Sequence, residues 1–196
     1  MSFTEIYEII FRSLLIILGI YYIFKHQFKI LFSILFIFAL SYLSFSIDKI
    51  LNIRIDTFSN LIYLFIIFSS IYLGGSLKYY DKYKNWDRYI HVMSGICFVG
   101  FGIAIIGMTP GIELMIMLLF GFTFSITIHV FWELLEYISD CLFKSNAQRW
   151  QKHHDSINHI SPKSLQPAGL VDTMNDTICC LIGATLATVV WWLLLY

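Results

Sequence analysis

The chain has 196 residues and a mass of 22.9 kDa; 58% of its residues are apolar, only 13% are charged, and its mean hydropathy is +0.74. Soluble domains carry about 25% charged residues, so an ordinary water-soluble fold is excluded. Thirteen basic and thirteen acidic side chains cancel, which leaves no global positive field to attract nucleic acid.

The N-terminal stretch MSFTEIYEII carries Glu5 and Glu8 where a secretory leader would be basic, and no small-residue cleavage site follows the apolar run to Phe24. The first span is therefore expected to be retained. A spanning helix takes about 20 apolar residues. A window of that size predicts six spans, at about residues 5–24, 30–47, 58–77, 89–107, 114–137 and 172–194. The expected class is all-α: a polytopic membrane protein of six transmembrane helices in one bundle, with residues 1–196 as a single transmembrane domain. Polar breaks fall at 25–29, 48–56 and 78–88, and Pro110 with Gly111 makes a tight turn of the break at 108–111. One connection is long, residues 138–171. Its His153, His154 and His159 accompany Trp150, Ile157 and Ile160 at loosely helical spacing, either as a solvated connector, the preferred reading, or as a lid along the membrane surface. Pro162 and Pro167 should break any helix before the sixth span.

Counting Lys and Arg orients the bundle. The connections after spans one, three and five hold Lys25, Lys29, Lys78, Lys82, Lys84, Arg88, Lys144, Arg149, Lys152 and Lys163, against Arg12, Lys49 and Arg54 on the other side. The positive-inside rule then puts the richer side in the cytoplasm and both termini outside it. Trp191, Trp192 and Tyr196 are expected to form an outer aromatic anchor, and Tyr79, Tyr80, Tyr83, Trp86 and Tyr89 an inner one. Glu8 and Arg12, one helical turn apart, read as a surface ion pair of little weight. Cys97, Cys141, Cys179 and Cys180 lack C-x-x-C spacing and read as small packing residues. Gly95, Gly100, Gly102, Gly183 and Ala187 supply faces where helices can approach closely.

Rare polar residues in the spans gather at the expected cytoplasmic end. Asp87 and His91 form an i,i+4 pair in span four, as do Asp172 and Asp176 in span six, while His129, Glu133, Glu136 and Asp140 line one face of span five. The predicted span ends place Glu133 and Asp176 about 6 to 9 Å deep. A carboxylate in hydrocarbon costs at least several kcal/mol unless it is paired, hydrated or coordinated. Arg88 can reach one of these acids, but nearby bases are too few to neutralise them all. Shared protons, a hydrated cavity or a bound cation remain.

The motifs D-x3-H-x3-G at Asp87, His91 and Gly95, E-x2-E at Glu133 and Glu136, and D-T-x2-D at Asp172, Thr173 and Asp176 resemble the YjdF-like family of bacterial inner-membrane proteins over roughly Asp87 to Leu194. The resemblance implies a six-helix fold in the bacterial cytoplasmic membrane and supplies no reaction. The chain departs from it before span six: Gln166, Pro167, Ala168, Gly169, Leu170, Val171 and Asp172 replace a Gln-Gly-Asp-x-Trp-Asp approach, so one acid is missing and a metal stoichiometry does not carry over.

Carboxylates with imidazole suit a divalent metal ion such as Mn, Fe, Zn or Mg. A di-iron oxygenase fits poorly, because His129-x3-Glu133-x2-Glu136 lacks the repeated Glu-x-x-His of such bundles. The leading expectation is a metal-dependent membrane enzyme acting on a lipid headgroup or isoprenoid phosphate. In it, His91, Glu133, Glu136, Asp172 and Asp176 hold the ion and His129 transfers the proton. The partners expected are membrane lipid and a lipid-like substrate. The alternatives are a small cation or proton transporter, a non-catalytic membrane interaction protein, and a purely structural polar lock between helices.

Overall fold

In hydrocarbon an apolar run satisfies its own backbone polar groups only as a helix. In the computed structural model, which describes residues 3–149 and 166–196, the described residues form helices and no strand. The order is α1 (Phe3–Phe24), α2 (Phe28–Leu40), α3 (Leu43–Leu51), α4 (Thr57–Ile67) running into a π-helix (Phe68–Ser76), α5 (Tyr79–Lys82), α6 (Trp86–Ile106), α7 (Leu114–Phe143) and α8 (Ala168–Leu195). With α2 and α3 taken as one span, and α4 with its π-helix as another, six helices among the described residues are long and apolar enough to cross a membrane. The expected architecture of six spanning helices is present. The lid or connector reading of His153, His154, His159, Trp150, Ile157 and Ile160 lies outside the described residues, as does Pro162.

Local chemistry sets several of the boundaries. Asp56 caps α4 by accepting the Ser59 N–H at 2.9 Å. Pro167 stands immediately before α8, which it cannot extend backwards. Gly111, at φ 72°, turns the connection between α6 and α7. Both α7 and α8 run beyond the expected bounds, to Phe143 and from Ala168. At 1.5 Å per residue, Glu133 and Asp176 therefore lie about 15 and 12 Å from their helix ends, deeper than expected. Helix α7 outruns its hydropathy window because Ser139 and Asp140 lower local hydropathy without breaking a helix, whereas α8 starts directly after Pro167.

Helix α6 is central and packs against α4, α7 and α8. Its contact with α8 is close because glycines meet backbone: a Cβ on Gly95 would strike the carbonyl oxygen of Cys180, and one on Gly183 that of Val92. This bears out the reading of these glycines as packing positions. Cys97 and Cys180 are fully buried beside them, as expected of small packing residues. Spans one to three and part of α6 bury a second core around Leu15, Ile34, Ile37 and Tyr63.

One surface expectation is overturned, and a second is amended at Tyr80. Glu8, 7% exposed, accepts bonds from Arg12 at 3.0 Å and Asn60 at 2.7 Å, and Arg12 also donates to the Ser41 carbonyl at 2.8 Å while lying 3.9 Å over the Tyr42 ring. This pair is an internal joint between α1, the α2–α3 break and α4. Tyr79, Tyr83 and Trp86 cluster with ring centroids 4.9 to 6.3 Å apart, but Tyr80 turns inward onto Gly74 of the π-helix. Without a side chain at Gly74 there is room for the ring.

Candidate functional site

One helical turn on α6 separates Asp87 from His91, one turn on α7 separates His129 from Glu133, and one turn on α8 separates Asp172 from Asp176. The three helices bring these pairs together. His91 Nε2 lies 3.5 Å from Asp87 Oδ1 and 3.9 Å from Asp176 Oδ2. The His91 and His129 rings meet edge to face at 5.1 Å. His129 Nε2 is 3.0 Å from Thr177 Oγ1 and 3.8 Å from Glu133 Oε1. Among the described residues, two sets present one ligand atom each within 4.8 Å of the others: Asp87, His91 and Asp176, and His91, His129 and Glu133. His91 belongs to both. His91, His129, Glu133 and Asp176 are all buried, yet His129 Nδ1 and Glu133 Oε1 have no hydrogen-bond partner.

Two residues expected as ligands stand apart from these sets. Glu136 accepts the Trp132 indole N–H at 2.7 Å. Asp172 is half-buried and faces Arg149 Nε at 4.0 Å. Arg149 Nη2 also lies 2.9 Å from Asp87 Oδ2, so among the described residues the base that pairs with these acids comes from the long connection and not, as Arg88 would, from α6. Asp140 positions that segment by accepting from Ser145 Oγ and from the Ala147 and Gln148 N–H groups at 2.6 to 3.0 Å. Gln148 then donates to Thr173 of α8 at 3.1 Å.

Two cavities adjoin the cluster. One, of about 330 Å³, is walled mainly by apolar side chains of α2, α4, α6 and α7, with Asp87, His91 and His129 in its wall. The other, of about 270 Å³, is lined by Tyr80, Asp81, Asp87, Trp132, Glu136 and Arg149 among others. Ser70, Ile71, Tyr80, Asp87 and Trp132 border both. Burial, reinforced by Asp87 and Glu136, holds the Tyr80 phenol well above its ordinary range, so it remains an O–H donor at neutral pH.

Residues 6–196 match the family described as "Predicted membrane protein (DUF2238)". The chain belongs to that family. Neither the curated proteins nor the solved structures contain a match. For this DUF2238 chain the family description gives a location and no reaction, so the chemistry rests on the side chains. Sequence reasoning left three of them out of the ligand set or the site. Asp87 was legible through its i,i+4 spacing to His91, and Thr177 through its i,i+4 spacing to Thr173 of the D-T-x2-D motif. Arg149 carried no distinguishing signal among the ten bases on its side of the bundle.

Proposed function

We propose that the protein is a divalent-cation-dependent membrane enzyme acting on the phosphate region of a lipid or on an isoprenoid phosphate. The observation that carries this reading is the pair of ligand-distance sets sharing His91, with buried, unpartnered His129 Nδ1 and Glu133 Oε1 beside them. A buried polar atom without a partner costs about 1 to 3 kcal/mol, and a cation with an associated water relieves that cost. Ligands about 2.0 to 2.2 Å from a Zn or Mg ion, or up to about 2.6 Å from Ca, lie at most about 4 to 5 Å apart, so side chains whose ligand atoms lie within 4.8 Å of one another can share an ion.

In this reading Asp87, His91 and Asp176 hold the ion, with Glu133 on the side of His129. The ion would supply Lewis-acid polarisation of a phosphoryl oxygen. His129, held at Nε2 by Thr177, is placed to move a proton. The apolar cavity against this cluster favours a substrate with a hydrocarbon portion. Transport is the weaker reading, because the halves of α6, α7 and α8 remote from the cluster carry no acid or base. The same reading keeps the YjdF-like kinship and puts the cluster at the cytoplasmic face of a bacterial inner membrane.

Thermal unfolding in detergent tests the cation. Divalent ions should raise the melting temperature of the wild type, by mass action worth about 2.7 kcal/mol at a hundredfold excess over Kd. Asp176→Asn and Glu133→Gln should each remove most of that rise. Equal rises in all three proteins would leave a structural polar lock as the account of these residues.

A further inference from the structure

We infer that the two adjoining cavities bind an aminophospholipid, with one hydrocarbon chain in the apolar cavity and the ammonium head in the cavity walled by Tyr80, Asp81, Trp132 and Glu136. The apolar cavity falls at the lower end of the 300–1,000 Å³ range of ligand pockets. Protein interiors are close-packed, and a large apolar void stays dry and takes apolar ligands. Phe36 and Trp132 in its wall are 50% and 49% exposed. A chain entering sideways from the bilayer would pass these two side chains.

The second cavity has the opposite character. Among the described residues, Asp81, Asp87 and Glu136 face it against one base, Arg149, and Tyr80 and Trp132 give it aromatic walls. Acids with aromatic rings recognise ammonium groups by charge and by cation–π attraction. The chain's own guanidinium shows the mode, since Arg149 pairs with Asp87 at 2.9 Å and lies 5.7 Å over the Tyr80 ring. A head bearing only phosphate or glycerol would meet more acids than bases among these described residues. Asp87 sits on the wall common to both cavities, 3.5 Å from His91 Nε2, and the buried His129, whose Nδ1 has no hydrogen-bond partner, lines the same apolar cavity. This is where a lipid phosphate, between chain and amine, must lie. Seating that phosphate on a cation rests on the function proposed above, whereas the chain and ammonium sites do not.

Native mass spectrometry of the full chain in maltoside detergent, given equal amounts of phosphatidylethanolamine and phosphatidylglycerol of identical chains, tests the inference. With EDTA present the wild type should retain the ethanolamine lipid over the glycerol lipid by about tenfold. Asp81→Asn with Glu136→Gln should bring the ratio close to one. Ser94→Phe, or Ile128→Trp should the first fail to fold, fills the apolar cavity and should reduce retention of both lipids. Equal retention by the wild type, or a ratio unchanged in the double variant, overturns the ammonium site. Undiminished retention in a folded cavity-filling variant overturns the chain site. Preference in EDTA without any cation-induced thermal shift would keep the lipid site and reject only the metal.

Discussion

Two arginines show how burial changes the weight of a single side chain. Arg12 and Glu8 look like an ordinary surface pair in sequence, worth about 0 to 1 kcal/mol. In the fold their side chains are 14% and 9% exposed and tied to Ser41 and Asn60. Arg12→Leu leaves Glu8 buried without its cation, so a loss of about 3 to 5 kcal/mol is expected. A loss below 1 kcal/mol in reversible unfolding would return the pair to surface status. Arg149 is a different case. It lies 2.9 Å from Asp87 Oδ2, where the cation of the proposed function would compete with it, and Arg149→Gln makes the cluster more negative. That variant should melt lower than wild type in EDTA and gain more from added divalent ions. A smaller ion-induced gain in a melting-temperature titration would show that Arg149 supports the cation instead of competing with it.

At the scale of elements, the seam between α6 and α8 sets the position of Asp87 and His91 against Asp176. Because Gly95 and Gly183 touch backbone across that seam, no rotamer change relieves a larger side chain. Gly183→Val should cost at least the 1 to 3 kcal/mol typical of overpacking and should also diminish cation-induced stabilisation. Retained stability with wild-type ion response would mean that the helices can separate without disturbing the site. The six spans were legible because hydrocarbon admits only long apolar helices, and the meeting of three helices at one end was legible from the alternation of the chain. The π-helix was not, because hydropathy is blind to whether a carbonyl accepts four or five residues on. Nor was the inward turn of Tyr80, which depends on the bare surface of Gly74 in that π-helix. The same limit explains Glu136: spacing puts it on the face of Glu133, but the rotation of α7 directs it to Trp132 and the second cavity. Gly74→Ala should push Tyr80 out and lower ethanolamine-lipid retention. Retention equal to wild type would remove Tyr80 from the head site.

At the scale of the molecule, alternating spans put Asp87, Glu133, Asp176 and Arg149 at one end, and the Glu8–Arg12 joint, nearer the chain termini, toward the other. The bases are distributed with the same asymmetry, ten to three. Each Lys or Arg near an anionic cytoplasmic leaflet contributes about 1 kcal/mol, so this bias is large against the thermal energy. It predicts both termini outside the cytoplasm and the candidate site open to the cytoplasmic side, where a lipid of the inner leaflet would meet it. Reporter fusions after Tyr196 and within the connection between α7 and α8 check this, the first being active only outside and the second only inside. Opposite results would turn the whole bundle over, moving the site to the outer leaflet while leaving its internal geometry unchanged. The substrate lipid would then have to be supplied from that leaflet. The lipid preferences measured in detergent would be the same in either case, so the fusions alone decide which leaflet the site faces.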